Sequence, residues 1–266
     1  MNAIEKYNQR ARAANSLLCI GLDSDINQLP EAFIHYEYPL FTFNRWIIEQ
    51  THEYVSAYKP NIAFYEARGD RGLASLRMTL EYLREHHPDI VTICDAKRGD
   101  MGSTSAAYAR AMFDWFDFDM VTLNPYLGRE GLQPFLDRRE KGCIILCRTS
   151  NATAGELQDL QVGDKTLWQV VAEKAAHEWN DNQNCLLVVG ATYPAAIREV
   201  RAITGEMTLL IPGVGAQGGE VGEVVRAGLN SANLGLIISA SRSVIFAENP
   251  GEAAHRLRDE INQHRA

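Results

Sequence analysis

The sequence predicts an α/β fold, a single (β/α)8 barrel of parallel strands, and three observations carry that expectation. Short apolar runs recur eight times along the 266 residues, and a longer amphipathic stretch follows each one. Most runs lack inside–outside alternation, as strands covered on both faces should. The residues just beyond the runs are polar or glycine-rich, which places the chemistry on one rim of a barrel, at the carboxyl ends of its strands. Closure into a TIM barrel also removes the unpaired edges that an open sheet would expose. An open doubly wound sheet would need no such even count.

In chain order, MNAIEKYNQRARAANS is charged and polar and is expected to form a helix ahead of the first strand. A secretory signal would need an apolar run there. The first run, LLCIGL (17–22), leads to Asp23, and the second, YVSAY (54–58), leads to Lys59. IVTIC (90–94) leads to Asp95 and Lys97, FDMVTL (118–123) to Asn124, and CIILC (143–147) to Thr149 and Ser150. CLLVV (185–189) leads to Gly190, TLLI (208–211) to the glycine-rich segment 212–219, and LGLIIS (234–239) to Arg242. Helices are predicted over 40–53, 70–87, 103–114, 129–139, 164–180, 194–203, 218–228 and 250–264. The whole chain, 1–266, is expected to form one domain.

The 34 acidic residues exceed the 26 basic ones, for a formal charge of −8, so the bulk surface should repel nucleic acid and anionic membrane. No stretch reaches membrane-spanning length. A cytoplasmic location is the expectation. Cys19, Cys94, Cys143, Cys147 and Cys185 are odd in number and sit at strand-like positions, so they are expected to be ordinary buried thiols. Cys143 and Cys147 have no adjoining histidine or second cysteine pair, which argues against zinc.

The densest chemistry lies in ICDAKRGD, 93–100. Asp95 and Lys97 are two apart, so extended geometry would point both to one side, and Lys59 ends the neighbouring strand. Asp100 follows the Arg–Gly turn. Such an array is costly to desolvate unless it is fully paired, so its presence in a dry site implies chemistry that uses the field. A lysine can stabilise a developing carbanion and then protonate it, while a fixed aspartate opposes a substrate carboxylate staying beside it. Loss of CO2 fits both roles.

The segment IPGVGAQGGEVGEVV (211–225) passes through glycines 213, 215, 218 and 219, which allow backbone amides to approach an anion closely. It lacks the glycine–lysine–serine ending of a nucleotide P-loop. Arg242 on the next strand end could hold phosphate in a charge-assisted fork, with Gln217 supplying an amide from the glycine segment. SRSVIF could open the short extra helix that often completes a barrel phosphate site.

DAKRGD (95–100), YKPNIAFYE (58–66), CIGLD (19–23), PGVGAQGG and SASRS together resemble the orotidine 5′-phosphate decarboxylases, specifically their longer bacterial branch, over residues 15–250. The resemblance implies conversion of orotidine monophosphate to UMP and CO2, the last step of de novo pyrimidine synthesis, with no metal or organic cofactor. It implies a homodimer with two shared sites. Lys59, Asp95 and Lys97 would form the catalytic array of one subunit, and Asp100 would be contributed to the other. Lys97 would donate the proton to C6, and Asp95 would lie beside the departing carboxylate. Asp23 and Lys59 would contact ribose, Thr104 would cross the interface with Asp100, and Gln217 and Arg242 would grip phosphate. Asn61 would support the array, and Ser150 or Thr149 would recognise the pyrimidine.

The nearest alternative is a sister decarboxylase acting on an acyclic sugar phosphate. A metal-dependent version would need a further carboxylate aligned with Asp95, and the sequence offers only Glu66, several residues past Lys59. A Schiff-base aldolase is disfavoured because Lys97, flanked by Asp95 and Asp100, is poorly prepared to attack a carbonyl. A non-catalytic phosphate-binding barrel would gain nothing from the charge array.

Overall fold

Apolar runs without alternation need cover on both faces, and here they find it by closing on themselves inside a ring of helices. The computed structural model describes residues 1–214 and 220–265. Eight strands, β1 (Leu18–Gly21), β2 (Ala57–Lys59), β3 (Val91–Arg98), β4 (Met120–Leu123), β5 (Gly142–Arg148), β6 (Cys185–Val189), β7 (Leu209–Pro212) and β8 (Leu236–Ala240), form a closed barrel. Neighbours in sequence are neighbours in space, every pair is parallel, and β8 closes on β1 with Leu18 opposite Ile238. The fold is therefore the (β/α)8 barrel that the eight runs predict. All five cysteines are free and buried.

The main helices are α1 (Ala3–Ala13), α2 (Pro39–Thr51), α3 (Gly69–His86), α4 (Gly102–Ala109), α5 (Gly128–Leu136), α6 (Leu167–His177), α7 (Pro194–Thr204), α8 (Val221–Gly228) and α9 (Pro250–Gln263). Helix α1 precedes the first strand and begins with a capping box, in which Asn2 and Glu5 satisfy each other's amides. It covers the amino-terminal end of the barrel. Tyr7 is wholly buried and donates to the Leu236 carbonyl at 2.6 Å, and Lys6 pairs with Asp119 at 2.8 Å.

Four local expectations need correction. The second strand, expected from residue 54, starts at Ala57 because residues 52–54 are used in a 3-10 turn, and it ends at Lys59 as expected. The third strand runs on through Arg98 despite its charges. The helix expected over 103–114 is α-helical only to Ala109 and continues as a π-helix over Arg110–Trp115, a wider turn that buries both Met112 and Phe113. Residues 165–166 pair with 161–162 in a small antiparallel hairpin, so the helix expected from 164 starts at Leu167.

The helices on one flank are joined to the barrel mouth by a buried polar cluster. Asn44 of α2 is fully buried, accepts from the Ser24 hydroxyl at 2.5 Å, and donates to Tyr65 at 2.9 Å and to Thr79 of α3 at 3.0 Å. Tyr65 donates in turn to the Leu22 carbonyl at 2.9 Å. Burial pushes its phenol well above the usual range, which keeps the proton available for that bond. The cluster thus fixes the chain where it leaves β1 for Asp23. Replacing Asn44→Leu takes the acceptor from the buried Ser24 hydroxyl and a donor from Tyr65 and Thr79, and is expected to cost about 3 kcal/mol. Urea titration should show a lower midpoint at an unchanged slope.

Candidate active site

The carboxyl end of β2 lies beside β3, and the two are joined past the ladder where the Asp95 amide donates to the Pro60 carbonyl at 3.0 Å. That register sets Lys59 against Asp95. Lys59 is 5 % exposed, and its Nζ lies 3.2 Å from Asp95 Oδ2. Lys97 Nζ lies 2.6 Å from the other oxygen, Oδ1, and its side chain is half exposed. One carboxylate therefore holds two ammonium groups, one sealed in the barrel and one at its mouth.

The electrostatics follow from that placement. Burial favours the neutral form of Lys59, but Asp95 and then Asp23 outweigh it and hold the lysine protonated well above its ordinary range. Burial would raise the Asp95 carboxyl, yet Lys59 and Lys97 hold it well below the usual carboxylate range. Asp23 is half-buried, and its Oδ1 is buried without a hydrogen-bond partner among the described residues.

Asp95 and Lys97 meet by a route that strand periodicity does not supply. Extended geometry would have placed them on one side, but Lys97 has φ +48° and leaves the strand conformation. The β3–β4 register breaks between Cys94 and Arg98, and the freed Ala96 and Lys97 amides both donate to Thr122 Oγ1 at 2.9 Å. The same hydroxyl donates to Asp95 Oδ1 at 3.0 Å. A left-handed lysine costs about 1 to 2 kcal/mol, so something must hold it there. Thr122 was missed in the sequence, although a hydroxyl near the end of an apolar run was the available signal.

Arg98, next in line, faces elsewhere. It pairs with Glu66 and lies over the Tyr108 ring, 5.1 Å from its centroid. Glu66 is thereby engaged away from Asp95. Asn61 caps the short helix Ile62–Glu66 by accepting from the Ala63 amide at 3.1 Å and bridges to Asp95 through the backbone.

The rim residues are placed separately. Asp100 accepts from the Met101 amide at 2.7 Å and pairs with neither lysine among the described residues, while Thr104 is exposed on the first turn of α4. Thr149 is engaged by Gln158, which accepts from its amide at 2.9 Å and donates to its hydroxyl at 2.9 Å. Ser150 is half-buried, and its hydroxyl has no partner among the described residues. It packs on Gly190, where any Cβ would fall 2.7 Å from that of Ser150. Arg148 behind it is buried, pairs with Asp159 at 3.0 Å and lies 4.2 Å over the Tyr193 ring, anchoring this loop. Arg242 is exposed at the start of the short helix Arg242–Ile245, and Ser241 ties that turn to β1 by donating to the Gly21 carbonyl at 3.0 Å. Gln217 lies outside the described residues. A larger groove, about 770 Å³, opens between α6 and the loop after β4, but it contains none of the charged array.

Comparison with known proteins agrees along the whole chain. A family model described as "Orotidine 5'-phosphate decarboxylase / HUMPS family" matches residues 16–257. The orotidine 5′-phosphate decarboxylase of Cellvibrio japonicus is 46 % identical, with 100 % of each chain covered. That of an Azoarcus species is 44 % identical over 94 % of this chain and 95 % of its own. Among solved structures, the OMP decarboxylase of Leishmania donovani superposes with a TM-score of 0.90 at 40 % identity, covering 100 % of this chain and 99 % of that one.

The Lys59–Asp95 pair makes a pH-dependent contribution whose sign is fixed by the depressed Asp95 carboxyl. That contribution is complete above the unfolded value, about pH 4, and is lost as pH falls through the lower folded value. Lys59→Met removes the larger of the two attractions. The variant should be less stable at pH 7 by about 3 to 5 kcal/mol, and its stability should fall less steeply as pH drops from 4 to 3, because Asp95 is no longer held as far below its unfolded value. Urea midpoints measured from pH 3 to 7 test both.

Proposed function

The chain belongs to the orotidine 5′-phosphate decarboxylase / HUMPS family, and on that premise we infer that it converts orotidine 5′-phosphate to UMP and CO2. The observation that carries this reading is the single carboxylate, Asp95, gripped by buried Lys59 and by half-exposed Lys97. The bond from C6 to the carboxylate breaks, CO2 leaves, and the electron pair remains on C6. Lys97 stabilises that pair and gives C6 a proton, which solvent then restores to the amine. Asp95 stands beside the substrate carboxylate and keeps both lysines in register. Preorganisation is the main catalytic device, because the charges are already paired and turned before substrate arrives.

The remaining roles follow the same layout. Asp23, with an unpartnered buried oxygen beside Lys59, takes ribose hydroxyls together with that lysine. Ser150 recognises the pyrimidine, a choice supported by the hydrogen bonds that already occupy Thr149. Arg242 and Gln217 hold phosphate at the last two strand ends, and Asn61 braces the array. Glu66, the carboxylate a metal-dependent sister reaction would draw on, is engaged by Arg98, which favours the nucleotide reading and a reaction with no cofactor. The enzyme acts in the cytoplasm as a homodimer. Asp100 and Thr104 complete the partner's site from the exposed turn at the start of α4, where Met101 is 66 % exposed. Among the described residues no helix is long and apolar enough to cross a membrane.

Adding orotidine 5′-phosphate should change the ultraviolet absorbance at a rate proportional to enzyme, with UMP as product; no turnover would reject the reading. Lys97→Ala should lower kcat by at least about 10²- to 10³-fold, the scale of losing one well-placed electrostatic donor, and weaken UMP binding far less.

Mixing inactive Lys97→Ala chains with inactive Asp100→Ala chains tests the shared site. A heterodimer would gather both defects in one site and leave the other intact, so activity should return. No recovery despite demonstrated subunit exchange would confine Asp100 to its own chain.

A further inference from the structure

Building on the reading that Lys97 protonates the substrate carbon, we propose that Thr122 is a positioning residue for that step. Its hydroxyl holds the left-handed turn that brings Lys97 back onto the carboxylate already gripped by Lys59. Thr122 lies on β4, is 1 % exposed, and belongs to none of the groups assigned to substrate.

A threonine hydroxyl has one hydrogen and two lone pairs. Here all three are used. The hydrogen goes to Asp95 Oδ1 at 3.0 Å in preference to the Cys94 carbonyl at 3.5 Å. The lone pairs take the Ala96 and Lys97 amides, each at 2.9 Å. Those two amides need this acceptor, because the ladder to β4 loses register between Cys94 and Arg98. With the amides held, the chain turns through φ +48° at Lys97, and Lys97 Nζ reaches Asp95 Oδ1 at 2.6 Å. Backbone turn and carboxylate orientation are thus fixed by one oxygen atom.

Removing that oxygen and keeping the shape of the side chain leaves two amides and one carboxylate oxygen short of a partner. The left-handed lysine then loses its restraint and relaxes toward the strand region, carrying its ammonium away from Asp95. Lys59 stays in place, because its bond is to Oδ2 and its burial comes from β2. The defect falls on proton donation and carbanion support more than on ribose or phosphate.

The test compares wild type, Thr122→Val and Thr122→Ser for orotidine 5′-phosphate turnover, UMP affinity, melting temperature and crystal structure. Displacing a catalytic group by about 1 Å costs roughly 100-fold, so Thr122→Val is expected to lose about that much in kcat while holding UMP within about threefold. Thr122→Ser, which restores the oxygen, should recover to within about fivefold of wild type. Parallel losses in kcat and UMP affinity, a serine variant no better than valine, or a valine variant with near-normal turnover would each overturn the proposal. If Thr122→Val does not fold, Thr122→Ala takes its place. A wild type inactive on this substrate would remove the functional reading, and the variant crystal structure would still decide the geometry. Lys97 leaving positive φ with Nζ parted from Asp95 supports the proposal; an unchanged turn overturns it.

Discussion

A carboxylate withdrawn from water at the mouth of a barrel must be neutralised nearby or it will take up a proton, and the arrangement around Asp95 is a response to that requirement. Lys59 meets one oxygen from the neighbouring strand, and Lys97 meets the other from two residues along the same strand. Neither lysine would be well placed without the carboxylate between them. The order of β2 and β3 in the barrel, the bridge from Asn61 to Asp95 and the break in the β3–β4 ladder all set the distances in this one cluster. A buried ion pair of this kind is weak evidence for extra stability, because desolvation consumes much of the attraction. Its presence makes better sense as a field held ready for substrate.

That field also explains why two adjacent cations, Lys97 and Arg98, have different surroundings. Lys97 turns toward the mouth and stays half exposed, whereas Arg98 lies against Glu66 and Tyr108. Arginine's planar fork suits a fixed pairing on the outer side, and lysine's compact ammonium suits a proton transfer.

The barrel was legible in the chain because strands buried on both faces have to be apolar throughout, so their runs stand out from amphipathic helices. The ends of the runs were less legible. Charge at Asp95, Lys97 and Arg98 looks like the end of a strand, yet β3 continues through it because neighbouring strand ends supply partners that a local pattern cannot represent. Lys59, Asp95 and Lys97 could be grouped from their positions after successive runs. The left-handed turn at Lys97 could not, since nothing in a lysine favours positive φ and the cause, Thr122, lies 25 residues further on. The loop after β5 was opaque for a related reason: its order depends on Arg148 reaching Asp159 and Tyr193, contacts that leave no periodic mark.

The contact of Tyr7 with Leu236 spans 229 residues, and Asn262 reaches back to the Asn15 carbonyl at 2.8 Å. A chain emerging from the ribosome makes its first helix and first strand early, but their partners arrive only when synthesis has passed Ala240. Until then β1 lacks one neighbour, and the growing sheet has two open edges able to pair with other nascent chains. Such long-range closure is slow, because loop entropy must be lost before the final contacts form. The seam between the first and last strands is therefore where the protein is most exposed to aggregation during its own synthesis, and where a folding helper would do most good.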